Sequence, residues 1–310
     1  MATPDPCLRT ALAGIELATP LVAAAGTCGY ADELADALDL GWLGAVTTKS
    51  ITPEERAGND PWRIIDVPGG MMNAIGLANV GLDRFLREKA PAAEALPCRA
   101  FGSVAGHSVE DYVRVAAAFD ARTRFPLIEL NVSCPNTATG LQFGDDPAAL
   151  RALLAEVRPA VRRARLFVKV SPNSDVVRLS AAAVEGGADG LTLINTVTAM
   201  SIDVRTRRTR LSRGRGGLSG PAIHPIAVRM VHDVHRQVAK PAGKPIIGLG
   251  GVLTWQDAAE LVLAGASAVG VGTALFADPR APKAIARGLA AWVRDQGAAS
   301  VDALVGAVEG

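Results

Sequence analysis

One pattern limits the possible folds more than any other. From Cys98 onward, short apolar runs alternate with longer amphipathic stretches. The apolar runs are Arg99–Ala105, Leu127–Ser133, Leu166–Ser171, Gly190–Asn195, Pro245–Gly250 and Ala268–Gly272. The stretches between and after them predict helices near Val109–Arg122, Pro147–Arg163, Asp175–Glu185, Pro221–Ala239, Trp255–Ala264 and Pro282–Asp295. Two earlier runs, Pro20–Gly26 and Leu43–Ser50, bring the strands to eight. The runs are continuously apolar, as strands covered on both faces must be. Eight strand–helix units predict an α/β fold, a (β/α)8 TIM barrel. An open, doubly wound sheet is the weaker alternative, because no GxGxxG follows the first strand. The 310 residues fit one such barrel, a single domain over 1–310.

The N-terminal third departs from the repeat. Leu8–Thr19, with Gly14 between two short apolar segments, predicts a hairpin capping one end of the barrel. Ala31–Leu40 reads as a short helix with Asp32 and Glu33 in its first turn. The segment 51–97 is too long for a simple connection. It contains PGGMMNAIGLANVG (68–81) and then a helix near Leu82–Ala90. Long loops in compact domains are usually functional. Met71, Met72, Ile75 and Leu77 argue that this one packs over something.

Composition removes several classes of function. A net charge of +1 gives no bulk electrostatic case for nucleic acid or membrane as a partner. No stretch approaches the ~18 apolar residues of a membrane span, and the N-terminus has no basic, apolar leader. The four cysteines (Cys7, Cys28, Cys98, Cys134) are widely spaced, without a CxxC pair. Neither a disulfide framework nor a zinc or iron–sulfur site is expected. The expectation is a cytoplasmic protein with free thiols and no metal.

The C-terminal strand ends carry Gly26-Thr27, Lys49-Ser50, Ser103, Asn131 with Cys134, Lys169, Asn195-Thr196, Gly250-Gly251 and Gly272-Thr273. In a barrel these all face one mouth, where such folds keep their chemistry. Gly250-Gly251 and Gly272-Thr273 follow the seventh and eighth strands, which predicts a phosphate site built from backbone N–H groups. Without a P-loop, a cofactor phosphate fits better than nucleotide hydrolysis. Six of the 32 basic residues are lysines, and two of these, Lys49 and Lys169, interrupt apolar strands. A charge there is costly without a partner. An anionic flavin ring would supply one; the bland alternative is a lysine snorkelling at the rim. Asn73, Asn131 and Asn195 can each donate and accept, which suits a planar, amide-bearing ligand. Pro135 forces the fourth strand to leave the sheet, so Cys134 sits on a loop at the mouth. It is either a reactive thiol or a small buried residue.

NVSCPN (131–136), TTKS (47–50), NAIGL (73–77), INT (194–196), GGLSGPAIHPIAVRMV (216–231), IIGLGGV (246–252) and VGVGTALF (269–276) resemble dihydroorotate dehydrogenases. The resemblance is closest to the class 1B, NAD-linked catalytic subunit, and runs from about Pro20 to Pro279 in order and spacing. It implies an FMN barrel that oxidises (S)-dihydroorotate to orotate in pyrimidine synthesis. It implies Cys134 as the base that takes the C5 proton, while the C6 hydride goes to FMN N5. It implies substrate contacts from Lys49, Asn73, Ala74, Ile75, Gly76, Leu77, Asn131, Asn195 and Thr196. The implied FMN contacts are Ala25, Lys49, Ser50, Ser103, Asn131, Lys169, Ile194, Gly220, Gly250, Gly251, Gly272 and Thr273. It further implies a homodimer within a heterotetramer, whose second subunit carries FAD and a [2Fe-2S] cluster and passes electrons to NAD+. Ala25 and Ser103 depart from the family's usual Ser and Asn. Each loss is worth about 0.5–1.5 kcal/mol of flavin binding if it removes one neutral hydrogen bond.

A free thiol titrates near about 8.5, so Cys134 chemistry should speed up as pH rises. Asn136–Asp146 (NTATGLQFGDD) reads as a lid. The six arginines of Arg205–Arg215 suit a solvated loop better than an anionic docking surface. His224, His232 and His235 read as surface or packing residues. Three alternatives stay open: a uracil-type dihydropyrimidine dehydrogenase, a non-redox barrel gripping a substrate phosphate, and a non-catalytic flavin-binding subunit.

Overall fold

The computed structural model describes residues 3–30, 33, 37–133 and 143–309. Eight parallel strands close into a barrel. In chain order they are Leu21–Ala23, Ala45–Thr47, Arg99–Val104, Leu127–Asn131, Arg165–Val170, Gly190–Leu193, Ile246–Leu249 and Ala268–Val271. The eighth strand pairs with the first, Val269 opposite Leu21, so the sheet has no edge. The expected α/β barrel is therefore the fold.

The outer helices fall where periodicity places them. Val109–Arg122 and Trp255–Ala264 have the expected limits. Each begins on a side-chain cap, Ser108 and Thr254 respectively, and Thr254 forms a capping box with Asp257. Pro147–Ala160, Val176–Glu185, His224–Val234 and Ala281–Asp295 complete the regular set. Their apolar faces and the outward strand positions form the main core. Half of the helix expected over Ala31–Leu40 (31, 32 and 34–36) lies outside the described residues; its described end is turn and bend at 37–38, and the short 3-10 turn Leu40–Trp42 follows.

A second, smaller core fills one end of the barrel. The hairpin Thr10–Leu12/Ile15–Leu17 turns through Ala13 and Gly14, both with positive φ. That is a type I′ loop, matched to strand twist. Its Leu12, Ile15 and Leu17 plug the barrel against Val22, Ala45, Phe101, Leu127, Phe167, Ile247 and Ala268. Burying each large side chain contributes roughly 1.5–3 kcal/mol.

The other end is roofed by a structure the sequence reading takes for loop. Ile64–Val67, Gly70–Asn73, Gly216–Ser219 and Val197–Ala199 form a four-stranded antiparallel sheet. Asn73 pairs with Gly217, and Met72 with Leu218. Helical segments from Leu82 to Glu94 follow, close to the predicted helix. A small hairpin, Ile202–Asp203/Arg208–Thr209, carries part of the arginine cluster.

Candidate active site at the barrel mouth

Along each barrel strand every second residue points inward, so successive inward positions climb from plug to mouth. The fourth strand reads Leu127, Glu129, Asn131, and the fifth Phe167, Lys169. The apolar layer thus gives way to a charged layer within two residues. Glu129 is buried, its Oε2 accepting from Thr192 Oγ1 at 2.8 Å, while its Oε1 has no partner among the described residues. Lys169 is 6% exposed and forms no ion pair within the described residues. That exposure excludes a rim-snorkelling lysine.

Above this layer lies a cavity of about 230 Å³. Its wall includes Ala25, Lys49, Ser50, Asn73, Ile75, Leu77, Asn131, Lys169, Ile194, Asn195, Thr196, Gly220, Gly250, Gly251, Gly272 and Thr273, all singled out from the sequence. The asparagines do converge. Asn195 Nδ2 donates to Asn131 Oδ1 at 3.1 Å and to Ser133 Oγ at 2.9 Å. Asn195 Oδ1 accepts from the Thr196 N–H at 2.9 Å. Asn131 Nδ2 donates to Ser50 Oγ at 3.3 Å, and the Tyr112 hydroxyl donates to the Asn131 carbonyl at 2.7 Å. Asn131 is thereby held from three sides with little rotamer freedom left.

Three of the singled-out residues lie off the wall. Ser103 is fully buried behind Ser50, the two hydroxyls 2.8 Å apart. Ala74 and Gly76 face away from the cavity. Ala74 bonds through its backbone to Arg63 and Asn59, and a Cβ on Gly76 would strike Asn59 at 2.6 Å. Only alternate members of the 73–77 stretch, Asn73, Ile75 and Leu77, reach inward. Leu77 takes φ +56, a strained value for a leucine. Cys134 and most of the expected lid, 134–142, lie outside the described residues.

Burial lowers the Lys49 ammonium below the ordinary lysine range, and nearby Arg63 adds to this while Cys28 and Glu33 oppose it. Two glycine positions show room for a ligand. A Cβ on Gly272 would meet nothing closer than 3.7 Å, and one on Gly26 nothing within 4 Å. No protein group among the described residues accepts the Gly251 N–H.

Several wall residues escape sequence reasoning: Ile64, Ser219, Ile223, Val252, Leu253 and Phe276. Ser219 accepts from Thr273 Oγ1 at 2.8 Å, joining roof to eighth strand. Its place beside Gly220 and Pro221 was the available signal. His224, expected to be a surface or packing residue, is buried, and it is bonded to the Gly250 carbonyl. Among the described residues no cluster of three His, Cys, Asp or Glu could hold a metal, and no helix is long and apolar enough to cross a membrane.

The family model described as dihydroorotate dehydrogenase matches residues 7–293. A Trichlorobacter lovleyi protein named dihydroorotate dehydrogenase B (NAD(+)), catalytic subunit, is 42% identical over 98% of this chain and 99% of its own length. One of the same name from Citrifermentans bemidjiense is 44% identical over the whole of both chains. A Solibacter usitatus relative, 45% identical over 98% of this chain and 99% of its own, is provisionally named for the A (fumarate) type. The match spans plug, barrel and roof alike, and the chain belongs to the dihydroorotate dehydrogenase family.

Proposed function

We propose that the chain, acting as one unit, oxidises dihydroorotate to orotate at this mouth using a bound FMN. The observation that carries the reading is the cavity wall itself. It joins two strand lysines and three asparagines to two glycine turns in one enclosure. The glycine turns, with an unaccepted N–H at Gly251, suit a phosphate. Buried Lys169 and the Asn131 amide suit the polar edge of a flavin ring. When bound, FMN supplies the two-electron acceptor for the substrate's hydride.

The chain's own groups bind and orient the substrate. Lys49, partly desolvated and cationic, pairs with the substrate carboxylate. Asn73 and Asn195 hold the ring's amide groups, and Asn131 shares them with the cofactor. Ile64, Ile75, Leu77 and Met71 of the roof exclude water. Cys134, next in sequence to Ser133, removes the C5 proton; support for this comes from the resemblance. The C5 proton leaves to sulfur and the C6 hydride leaves with its electron pair, giving the ring double bond.

The relatives' names, each a catalytic subunit of an NAD(+) enzyme, support a partner subunit and NAD+ as final acceptor; the resemblance in sequence is what adds FAD and [2Fe-2S] on that partner and a homodimer within a cytoplasmic heterotetramer. The Solibacter relative keeps fumarate open as an acceptor. The test is an anaerobic absorbance spectrum before and after dihydroorotate. Flavin bands that bleach establish cofactor and substrate together. Bands that persist with dihydroorotate but bleach with a dihydrouracil redirect the assignment, and a colourless protein removes the flavin. Reoxidation by fumarate, compared with NAD+ plus the partner subunit, separates the two acceptors.

A further inference from the structure

His224 opens the helix His224–Val234 and is 8% exposed. Its Nδ1 lies 2.8 Å from the Gly250 carbonyl oxygen. Its Nε2 lies 3.1 Å from Glu260 Oε2 and 3.8 Å from Asp257 Oδ1, both on the helix Trp255–Ala264. A carbonyl can only accept, so Nδ1 is the donor of that bond. In a trans peptide the carbonyl of one residue and the N–H of the next point in opposite directions. With the Gly250 carbonyl drawn outward to the ring, the Gly251 N–H is turned toward the cavity these glycines line. Gly251 sits at φ +69, and a Cβ there would lie 2.7 Å from His224 Cβ and 2.8 Å from the Gly220 carbonyl. Glu260, His224, Gly250 and Gly251 thus form a continuous series of contacts from the protein surface to a backbone donor in the site.

We propose that His224 is a positioning residue for anion recognition. It fixes the Gly250–Gly251 peptide in the orientation that presents the Gly251 N–H to a phosphate monoester. This rests on the FMN reading above, and it gives His224 a role distinct from packing: to set how strongly the protein prefers a phosphorylated flavin over the same ring without phosphate. Leucine at 224 frees the peptide to rotate. Asparagine places an amide Nδ2 where the ring has Nδ1, and keeps the donor.

The test removes the flavin from the full chain and titrates back FMN or riboflavin, following flavin fluorescence. In His224→Leu the FMN dissociation constant should rise about tenfold or more, the weight of one hydrogen bond to a charged group, while riboflavin binding stays unchanged. His224→Asn should recover most of the FMN affinity. Glu260→Ala, at an exposed carboxylate, should show a smaller loss of the same selective kind, and it carries the test if His224→Leu does not fold. Equal losses for both flavins, or no recovery with asparagine, would reduce His224 to a packing residue. Unchanged FMN affinity in both His224→Leu and Glu260→Ala overturns the proposal. A wild-type chain that takes up neither flavin removes its basis together with the cofactor reading.

Discussion

The two ends of this barrel are made by the same strands and could hardly differ more. At the plug, inward positions are Val22, Ala45, Phe101, Leu127, Phe167, Ile247 and Ala268, sealed by the hairpin's leucines and isoleucine. One inward step along, five strands present Thr47, Ser103, Glu129, Lys169 and Thr192, all buried, while Ala24, Leu249 and Gly270 keep the other three apolar or small. One step further stand Lys49 and Asn131 on the cavity wall. The first layer adds stability by removing apolar area from water, and the later layers cost stability because charges are held away from it. A period of two along each strand places both in one β-sheet, so the barrel's rigid end anchors its reactive end.

The sharpest break between the ends should come from Cys134. Cys134→Ala should slow substrate-driven flavin bleaching by about 10²-fold or more, while thermal stability and flavin content hold. An unchanged rate would move the base elsewhere. At the plug, Phe167→Ala should cost about 3–5 kcal/mol in denaturant unfolding and leave flavin bleaching normal in the folded fraction. If that substitution alters bleaching before it alters stability, the two ends are not independent.

Lys49 sharpens the comparison through pH. Burial lowers its folded-state pKa below the unfolded value, so between the two the unfolded chain binds more protons. Stability of the ligand-free protein should therefore rise with pH through a window ending near lysine's ordinary pKa. Lys49→Met should remove that rise, leave the ligand-free Tm equal or higher, and abolish tight dihydroorotate binding. A lower Tm in Lys49→Met would contradict the cost assigned to the charge.

Thiol chemistry offers a milder test. Burial pushes Cys28 and Cys98 up to about 12 and, with Asp5 adding to it, Cys7 up to about 11. Few of these thiols are ionised near neutral pH, so they should alkylate slowly. Under brief iodoacetamide treatment the first labelled site should be Cys134, and loss of activity should track that single label by mass spectrometry. The smallest expected change is at Ala25, on the cavity wall. Ala25→Ser should tighten FMN by no more than about 1.5 kcal/mol, and no gain at all would mean that the position contributes only backbone.

The barrel was readable because each strand is a contiguous apolar run bounded by a helix with its own period. Most of the wall was readable too, because strand ends in a barrel share one mouth. What escaped depends on pairing between distant segments. Gly70–Asn73 (GMMN) and Gly216–Ser219 (GGLS) hold no β-branched or aromatic residue and have little strand propensity of their own; they are strands because Asn73 meets Gly217. The same distance hides why Ala74 and Gly76 turn away and why Ser103 sits behind Ser50. It hides His224 as well, since nothing near it in the chain announces the Gly250 carbonyl. The arginine cluster is partly bound into the roof: Arg213 Nε donates to Asn59 Oδ1 at 3.0 Å and Arg210 Nη1 to the Asp66 carbonyl at 3.2 Å. Its other four arginines are exposed, in keeping with a solvated loop.

The order in which the mouth is written along the chain has a consequence for assembly. Lys49, Asn73, Asn131, Lys169 and Asn195, with both halves of the roof, precede the seventh strand, whereas the glycine turns arrive with the seventh and eighth. During synthesis the residues proposed to hold the rings therefore leave the ribosome before those proposed to hold an anion. The barrel's closing seam joins the eighth strand, written last of the eight in the chain, to the first. A cofactor that lies across both halves ties the late strands to the early ones. By mass action it would act as a clasp on that seam, strengthening the closed ring by RT ln(1 + [L]/Kd). Flavin supply during growth would then govern how much of this chain survives to become enzyme.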